Sequence, residues 1–313
     1  YLSTSPLGRI LTPPMRLGFH LSIGRGLVKA VEQGLRTGCE AAQIFSRNPR
    51  SWIGKPLDEK ETIAFRQARR AAGLTPLAIH LPYLPNPASM DPDLYRKSIR
   101  VLYEELVRAE LLGADYVVFH PGHKAADRSL DEALDRVAHG VLEALAGLKA
   151  GVKVTLLLEN TAGQRGEIGA RFSELAGIIE RIEAAGPANL KVGVCLDTAH
   201  AWGAGYDLAR PRGQDKTLAR LDRVMGLHRL GLIHLNDSLI ELGSRRDRHA
   251  PVGRGRIGAR GLARLVRNPD LTHLAGIMET PRQTEADDLA NMARAKRWRS
   301  YRRKQGPAAT GDS

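Results

Sequence analysis

The chain has 313 residues, 42% hydrophobic but only 5% aromatic, with a formal net charge of +13. That length holds one α/β barrel of about 250 residues plus short ends, with an aliphatic core. No apolar run approaches the roughly 20 residues that span a membrane, and the opening YLSTSPLGRILTPP lacks the pattern of a secretory signal, so a soluble intracellular protein is expected. The charge favours a polyanionic partner (DNA, RNA or an anionic surface) without choosing among them. The only cysteines, Cys39 and Cys195, sit in apolar stretches and read as small buried hydrophobes rather than a disulfide framework.

In chain order, short apolar runs predict strands at Arg16–Phe19, Ala41–Phe45, Pro76–Ile79, Tyr116–Phe119, Thr155–Leu158, Val192–Leu196, Leu232–Leu235 and Gly276–Met278. Between them, helical periodicity predicts helices at Gly26–Arg36, Asp58–Ala72, Asp91–Leu112, Ser129–Lys149, Phe172–Ala185, Thr217–Leu227 and Ala259–Arg267. Asp58 with Glu61 three residues on suggests a capping box, and Gly73, Gly113 and Gly151 stand where helix-ending glycines stand. This alternation fits a closed parallel barrel and equally a doubly wound open sheet. The expected domain is residues 16–299, flanked by a proline-bearing extension at 1–15 and a polar, basic, disordered tail at 300–313. Lys296–Lys304 reads as a solvated basic segment, with nucleic-acid contact the lesser alternative.

The position of the acids and histidines separates this chain from a generic α/β protein. The strands end in His20, His80, His120, Glu159, Asp197 (followed by His200) and Glu279, and the seventh contains His234. One histidine after a strand is usually structural. A whole set is not, because polar groups there cost stability unless paired or coordinated. In a barrel the C-terminal strand ends converge on one rim, where active sites form, and the result is an N/O donor set suited to zinc, manganese or iron. The later Asp247-Arg248-His249 puts two more donors on one side of an extended segment; with His200 they would complete a further position, a charged solvated loop being the alternative reading.

At these residues the chain closely resembles the endonuclease IV family of apurinic/apyrimidinic-site endonucleases. GFHLSIGRGL, QIFSRNPRSW, IHLPYLPN, VVFHPGHK, LLLENTAGQRGEIG, VCLDTAHAWGAGYDL, HLNDS, GSRRDRH and METP carry the likeness, from about residue 18 to residue 281. The resemblance implies a (β/α)₈ TIM barrel with three divalent ions, zinc before manganese or iron, at the C-terminal rim. His80 and His120 would hold the first ion, with Glu159 bridging to a second held by Asp197, His234 and Glu279, and His200, Asp247 and His249 would hold the third. His20 takes a supporting place outside this set. Arg50 and Tyr83 match residues that enter the DNA at the lesion, loop packing between Pro82 and Pro85 being the plainer reading of Tyr83. Ala199 departs from the Cys of many relatives at a position that holds no ion.

The implied activity is hydrolysis of the phosphodiester 5′ to an abasic site in double-stranded DNA. It leaves a 3′-hydroxyl and a 5′-deoxyribose phosphate, with cleaning of 3′-blocked ends as a second activity in base excision repair. Glu159, His120 and Glu279 are the expected catalytic residues, because paired ions activate water and neutralise phosphate charge. A cytoplasmic monomer, nucleoid-associated in a prokaryote and without membrane contact, goes with this. The rival is a metal-dependent sugar isomerase or epimerase on the same barrel, which needs fewer ions and no basic bias.

Overall fold

The computed structural model describes residues 14–148 and 153–300. Eight strands form a closed, all-parallel barrel: β1 (Arg16–Leu21), β2 (Ala41–Phe45), β3 (Leu77–His80), β4 (Tyr116–Phe119), β5 (Thr155–Glu159), β6 (Val192–Asp197), β7 (Leu230–His234) and, after a small hairpin of β8 (Asp237–Ser238) and β9 (His249–Ala250), β10 (Ala275–Met278). Closure is explicit: β1 pairs with β2 (His20 beside Gln43) and with β10 (Phe19 beside Met278). Closure excludes the open-sheet alternative and brings every strand end to one rim.

The strands are apolar on both faces because both are covered. Inside the barrel Ala41, Ala78, Val118, Leu157, Cys195, Leu232, Ala275 and Ile277 pack together, and the larger core lies between strands and helices. The interior depends on missing side chains. A Cβ on Gly231 would meet Leu157 at 2.8 Å, and one on Gly18 would meet the Ala41 carbonyl at 2.0 Å. Cys39 and Cys195 are buried as expected, and burial pushes the Cys195 thiol up to about 12.

The helices are α1 (Leu27–Thr37), α2 (Glu59–Ala71), α3 (Pro92–Leu112), α4 (Leu130–Ala146), α5 (Phe172–Ala185), α6 (Thr198–Gly203), α7 (Pro211–Met225), α8 (Gly258–Val266) and α9 (Glu285–Ser300). Asp58 does cap α2, accepting from the Glu61 amide at 2.8 Å. The other half of the expected box goes elsewhere: the Glu61 carboxylate accepts from the Leu27 amide at 2.8 Å, capping α1, whose own cap Gly26 offers no side chain. Gly73 and Gly113 end their helices at positive φ, while Gly151 lies outside the described residues.

The structure departs from expectation at four places. The six-residue α6 and the β8–β9 hairpin were not foreseen, and α7 starts at Pro211, six residues early, because its first turns are polar. α9 was also unforeseen and carries the described part of the basic segment. Lys296 donates to the Gly38 carbonyl at 2.6 Å and Arg299 pairs with Glu40, so these cations fasten α9 to the barrel rather than extend into solvent. Met15 is fully buried beside Gly276. The rest of the expected extension and tail, 1–13 and 301–313, lies outside the described residues.

The close approach at Gly18 makes a direct prediction. Gly18→Ala should force β1 and β2 apart and cost about 3 kcal/mol in denaturant unfolding, whereas Gly73→Ala, with open space but φ +64°, should cost about 1 kcal/mol. Equal costs would refute the close-packing argument.

Candidate metal centre

The closed barrel places nine side chains able to ligate metal in one basin. Their atoms fall into three groups whose members lie within 4.8 Å of one another: His80, His120 and Glu159; Glu159, Asp197, His234 and Glu279; Asp197, His200 and His249. Asp247 joins the third, its carboxylate 3.3 Å from His200 Nε2 and 3.1 Å from His249 Nε2. Glu159 is the hub. One oxygen lies 2.9 Å from His80 Nε2 and 3.1 Å from His120 Nε2, the other 3.0 Å from His234 Nδ1 and 3.2 Å from His200 Nδ1.

Local structure explains why these residues converge. His80, Glu159, Asp197 and His234 are the last residues of β3, β5, β6 and β7, and His120 and Glu279 follow β4 and β10 directly. Asp197 also caps α6. Its Oδ1 accepts from the His200 amide at 2.7 Å, so the short helix starts on one donor and presents the next within its first turn. Asp247 and His249 do share one side of their segment.

Each of four histidines has one ring nitrogen hydrogen-bonded to an amide oxygen. His80 Nδ1 donates to the Leu81 carbonyl (2.7 Å), His200 Nδ1 to the Asn160 carbonyl (2.9 Å), and His249 Nδ1 to the Glu279 carbonyl (3.0 Å). His234 Nε2 donates to Gln43 Oε1 at 2.8 Å, while Gln43 Nε2 donates to Glu279 at 2.7 Å and so sets which way the amide faces. Each tautomer therefore leaves a lone pair aimed at carboxylates. His249 Nε2 and Asp247 Oδ1 are buried, 3.1 Å apart, yet neither has a hydrogen-bond partner. Lone pairs aimed at carboxylates repel unless a cation lies between them, so this donor set fits bound divalent ions.

The electrostatics agree. Burial opposes the charge of Glu159, but His234 and His120 hold its pKa well below the usual carboxylate range. Burial likewise opposes charged His200 and His234, yet the neighbouring acids raise both well above the ordinary value. His249, against the same burial, is raised by Asp247 and Asp197 to about 9. Without a cation, protons would supply the positive charge that these acids demand.

His20 lies beside the groups, its Nδ1 2.9 Å from Gln43 Nε2 and 3.2 Å from Glu279, and burial lowers its pKa. Three residues had no role in the sequence reading. Gln43 is fully buried within an apolar strand, an anomaly visible in AAQIF. Asn236 donates to Asp197 at 2.6 Å and to Glu279 at 3.2 Å, and Asn160 accepts from the Asp197 amide at 2.7 Å. Arg50 and Tyr83 stand exposed on neighbouring rim loops, Tyr83 65% exposed with its ring edge-on to Phe45, so it is not packed away between its prolines.

Fold and site together define a TIM barrel with a multi-metal donor set at its rim, and residues 31–300 match the family model of the xylose isomerase-like TIM barrel. A probable endonuclease 4 from Methanoculleus marisnigri is 42% identical over 281 residues, 90% of this chain and 97% of that protein. The crystal structure of endonuclease IV from Thermus thermophilus matches with a TM-score of 0.78 and 42% identity, covering 90% of this chain and 98% of that one. The chain belongs to the endonuclease IV family, hydrolases of phosphodiester bonds. A D-tagatose 3-epimerase-like protein has a TM-score of 0.65 at 18% identity, covering 91% of this chain and 97% of its own, a likeness of fold alone. Among the described residues no helix is long and apolar enough to cross a membrane.

Two measurements test the site. Gln43→Leu should weaken ion binding at the group containing His234 by about 10- to 100-fold, seen in a chelator-competition titration; unchanged affinity would remove its orienting role. Because the pKa values of His120, His200, His234 and His249 are raised, the metal-free form carries protons on these rings at neutral pH, and ion binding must displace them. Calorimetry in buffers of different ionisation enthalpy should show proton release, with affinity rising with pH through the deprotonation of His249 at about 9. Buffer-independent heats would contradict this.

Proposed function

We propose that this chain cuts double-stranded DNA on the 5′ side of an abasic site. The products are a 3′-hydroxyl and a 5′-deoxyribose phosphate, and the same centre removes 3′-blocking groups in base excision repair. The observation that carries this reading is the sharing of Glu159 between two donor groups, with a third beside them, at a rim edged by exposed Arg50 and Tyr83. His80, His120 and Glu159 would hold one ion, Glu159, Asp197, His234 and Glu279 a second, and His200, Asp247 and His249 a third, zinc being the ion best suited to this set. When bound, such ions lower the pKa of water and neutralise phosphate charge.

The chain's own residues do the rest. Glu159 fixes the relation between the first two donor groups, with His120 and Glu279 flanking it. Gln43, His20 and Asn236 orient Glu279 and His234 through the bonds described above. Arg50 and Tyr83 would occupy the space left by an extruded nucleotide. An abasic nucleotide has no base to unstack, so its extrusion costs less than that of an intact one, and this difference is the source of selectivity. Arg245, Arg246 and Arg248, exposed on the loop that carries Asp247, would contact phosphates and make binding fall with salt. The protein would act as a monomer in the cytoplasm, near the nucleoid.

The test incubates the zinc-loaded protein with a duplex containing one abasic site. Incision 5′ to the lesion and about three zinc ions per chain are expected. An uncut duplex alongside epimerisation of a ketose would overturn the reading in favour of the sugar-converting alternative. Glu159→Gln should lower kcat by about 10³-fold, a loss of about 4 kcal/mol of transition-state stabilisation, while the variant still retards the duplex in a gel; retained cleavage would refute its bridging role.

A further inference from the structure

A second buried network of charges lies apart from the metal groups. Glu105 is fully buried on α3, within the apolar stripe formed by Leu102, Leu106 and Ala109 that faces the barrel. Its carboxylate accepts from Ser46 Oγ at 2.5 Å and pairs with Arg47 Nε. The Arg47 side chain is only 2% exposed; its Nη1 also reaches Glu104 at 2.8 Å and the Trp52 carbonyl at 3.4 Å. One helical turn on, Arg108 donates to Ser46 Oγ at 2.6 Å, to the Ser46 carbonyl, and to the Lys55 carbonyl at 2.8 Å. Glu104, Glu105 and Arg108 of α3 thus grip the segment 46–55 at its start and end, and the buried Arg47 reaches from its start to its middle at Trp52.

That segment carries Arg50 at its tip. The tip is braced internally, the Arg50 amide donating to Asn48 Oδ1 at 2.9 Å and the Ser51 amide to the Asn48 carbonyl at 3.1 Å. It is also joined to the next rim loop, since the Tyr83 amide donates to the Pro49 carbonyl at 3.2 Å. Gly54 lets the Arg47 guanidinium pack against the backbone: a Cβ there would come within 2.9 Å of it. Arg50 and Tyr83 therefore stand on one platform clamped from beneath.

Stability alone gives poor reason for such an arrangement. Burial pushes the Glu105 carboxyl pKa up, with Arg47 and Ser46 pulling it back, so desolvation is not fully offset. An apolar residue of similar size in a helix stripe is often as stable or more so. What a saturated ionic clamp adds is a single geometry, and misplacing a contact group by about 1 Å can cost a reaction about 10²-fold.

We propose that Glu105 is a positioning residue for damaged-DNA recognition, holding Arg50 and Tyr83 at a fixed place above the metal centre through Arg47 and Arg108. This rests on the abasic-site reading of the centre. In the zinc-loaded full chain, Glu105→Gln should raise KM for the abasic duplex by about ten-fold or more, with kcat within about two-fold and zinc content unchanged. Hydrogen exchange should quicken at the amides of Arg50, Ser51 and Tyr83 and not in the barrel strands. Should Glu105→Gln fail to fold, Arg108→Met, at the margin of the network, should give a smaller split in the same direction. A variant that only melts earlier, with wild-type KM and loop exchange, overturns the positioning role and leaves a structural staple. A wild-type protein that leaves the duplex uncut overturns instead the reading on which the proposal rests.

Discussion

The buried carboxylate of Glu159 is the interaction on which the rest of the site depends. It sits at the end of β5, almost without solvent, within 3.2 Å of four imidazoles. A lone carboxylate in such a place would be several kcal/mol too costly, so its neighbours must bring positive charge as protons or as ions. Both oxygens are engaged, each by a different pair of histidines, and this makes three donor groups one centre.

Around that hub, the outer contacts decide what each donor can do. Main-chain carbonyls accept a hydrogen bond from one ring N–H of His80, His200 and His249, and the Gln43 amide oxygen does the same for His234. Asn236 and Asn160 hold Asp197 from side chain and backbone. These groups remove the freedom of each ring to turn its lone pair away, so the donors are prepared before any ion arrives. The same logic of prepared geometry runs through the Glu105 clamp, which works on the loop backbone rather than on a ligand.

The barrel alone would not separate a nuclease from a sugar epimerase, since epimerase-like proteins share it at 18% identity. On the proposed function, the separation would come from what the loops add: Asp247 and His249 on the long excursion after β7, His200 on α6, and the platform of Arg50 and Tyr83. The barrel supplies rigid strand ends and the loops adapt them to a phosphodiester.

The sequence by itself determined the eight barrel strands, most helices and the side chains of the donor set. Each barrel strand is a short apolar run covered on both faces, and six of the donors end or directly follow one, so period and punctuation suffice for these. Elements whose burial is not apolar escaped it. α9 buries Asp288, Asn291, Met292 and Ala295, a helical spacing carried largely by polar and small residues, and α7 opens on a polar stretch after Pro211. α6 is too short to show a period. Only the tertiary structure decided that the sheet closes, that Glu61 caps a different helix, and that Gln43, Asn236 and Glu105 act on residues far along the chain. Hydrogen bonds and ion pairs between such distant residues leave no local pattern, because the partner is chosen by the fold and not by spacing.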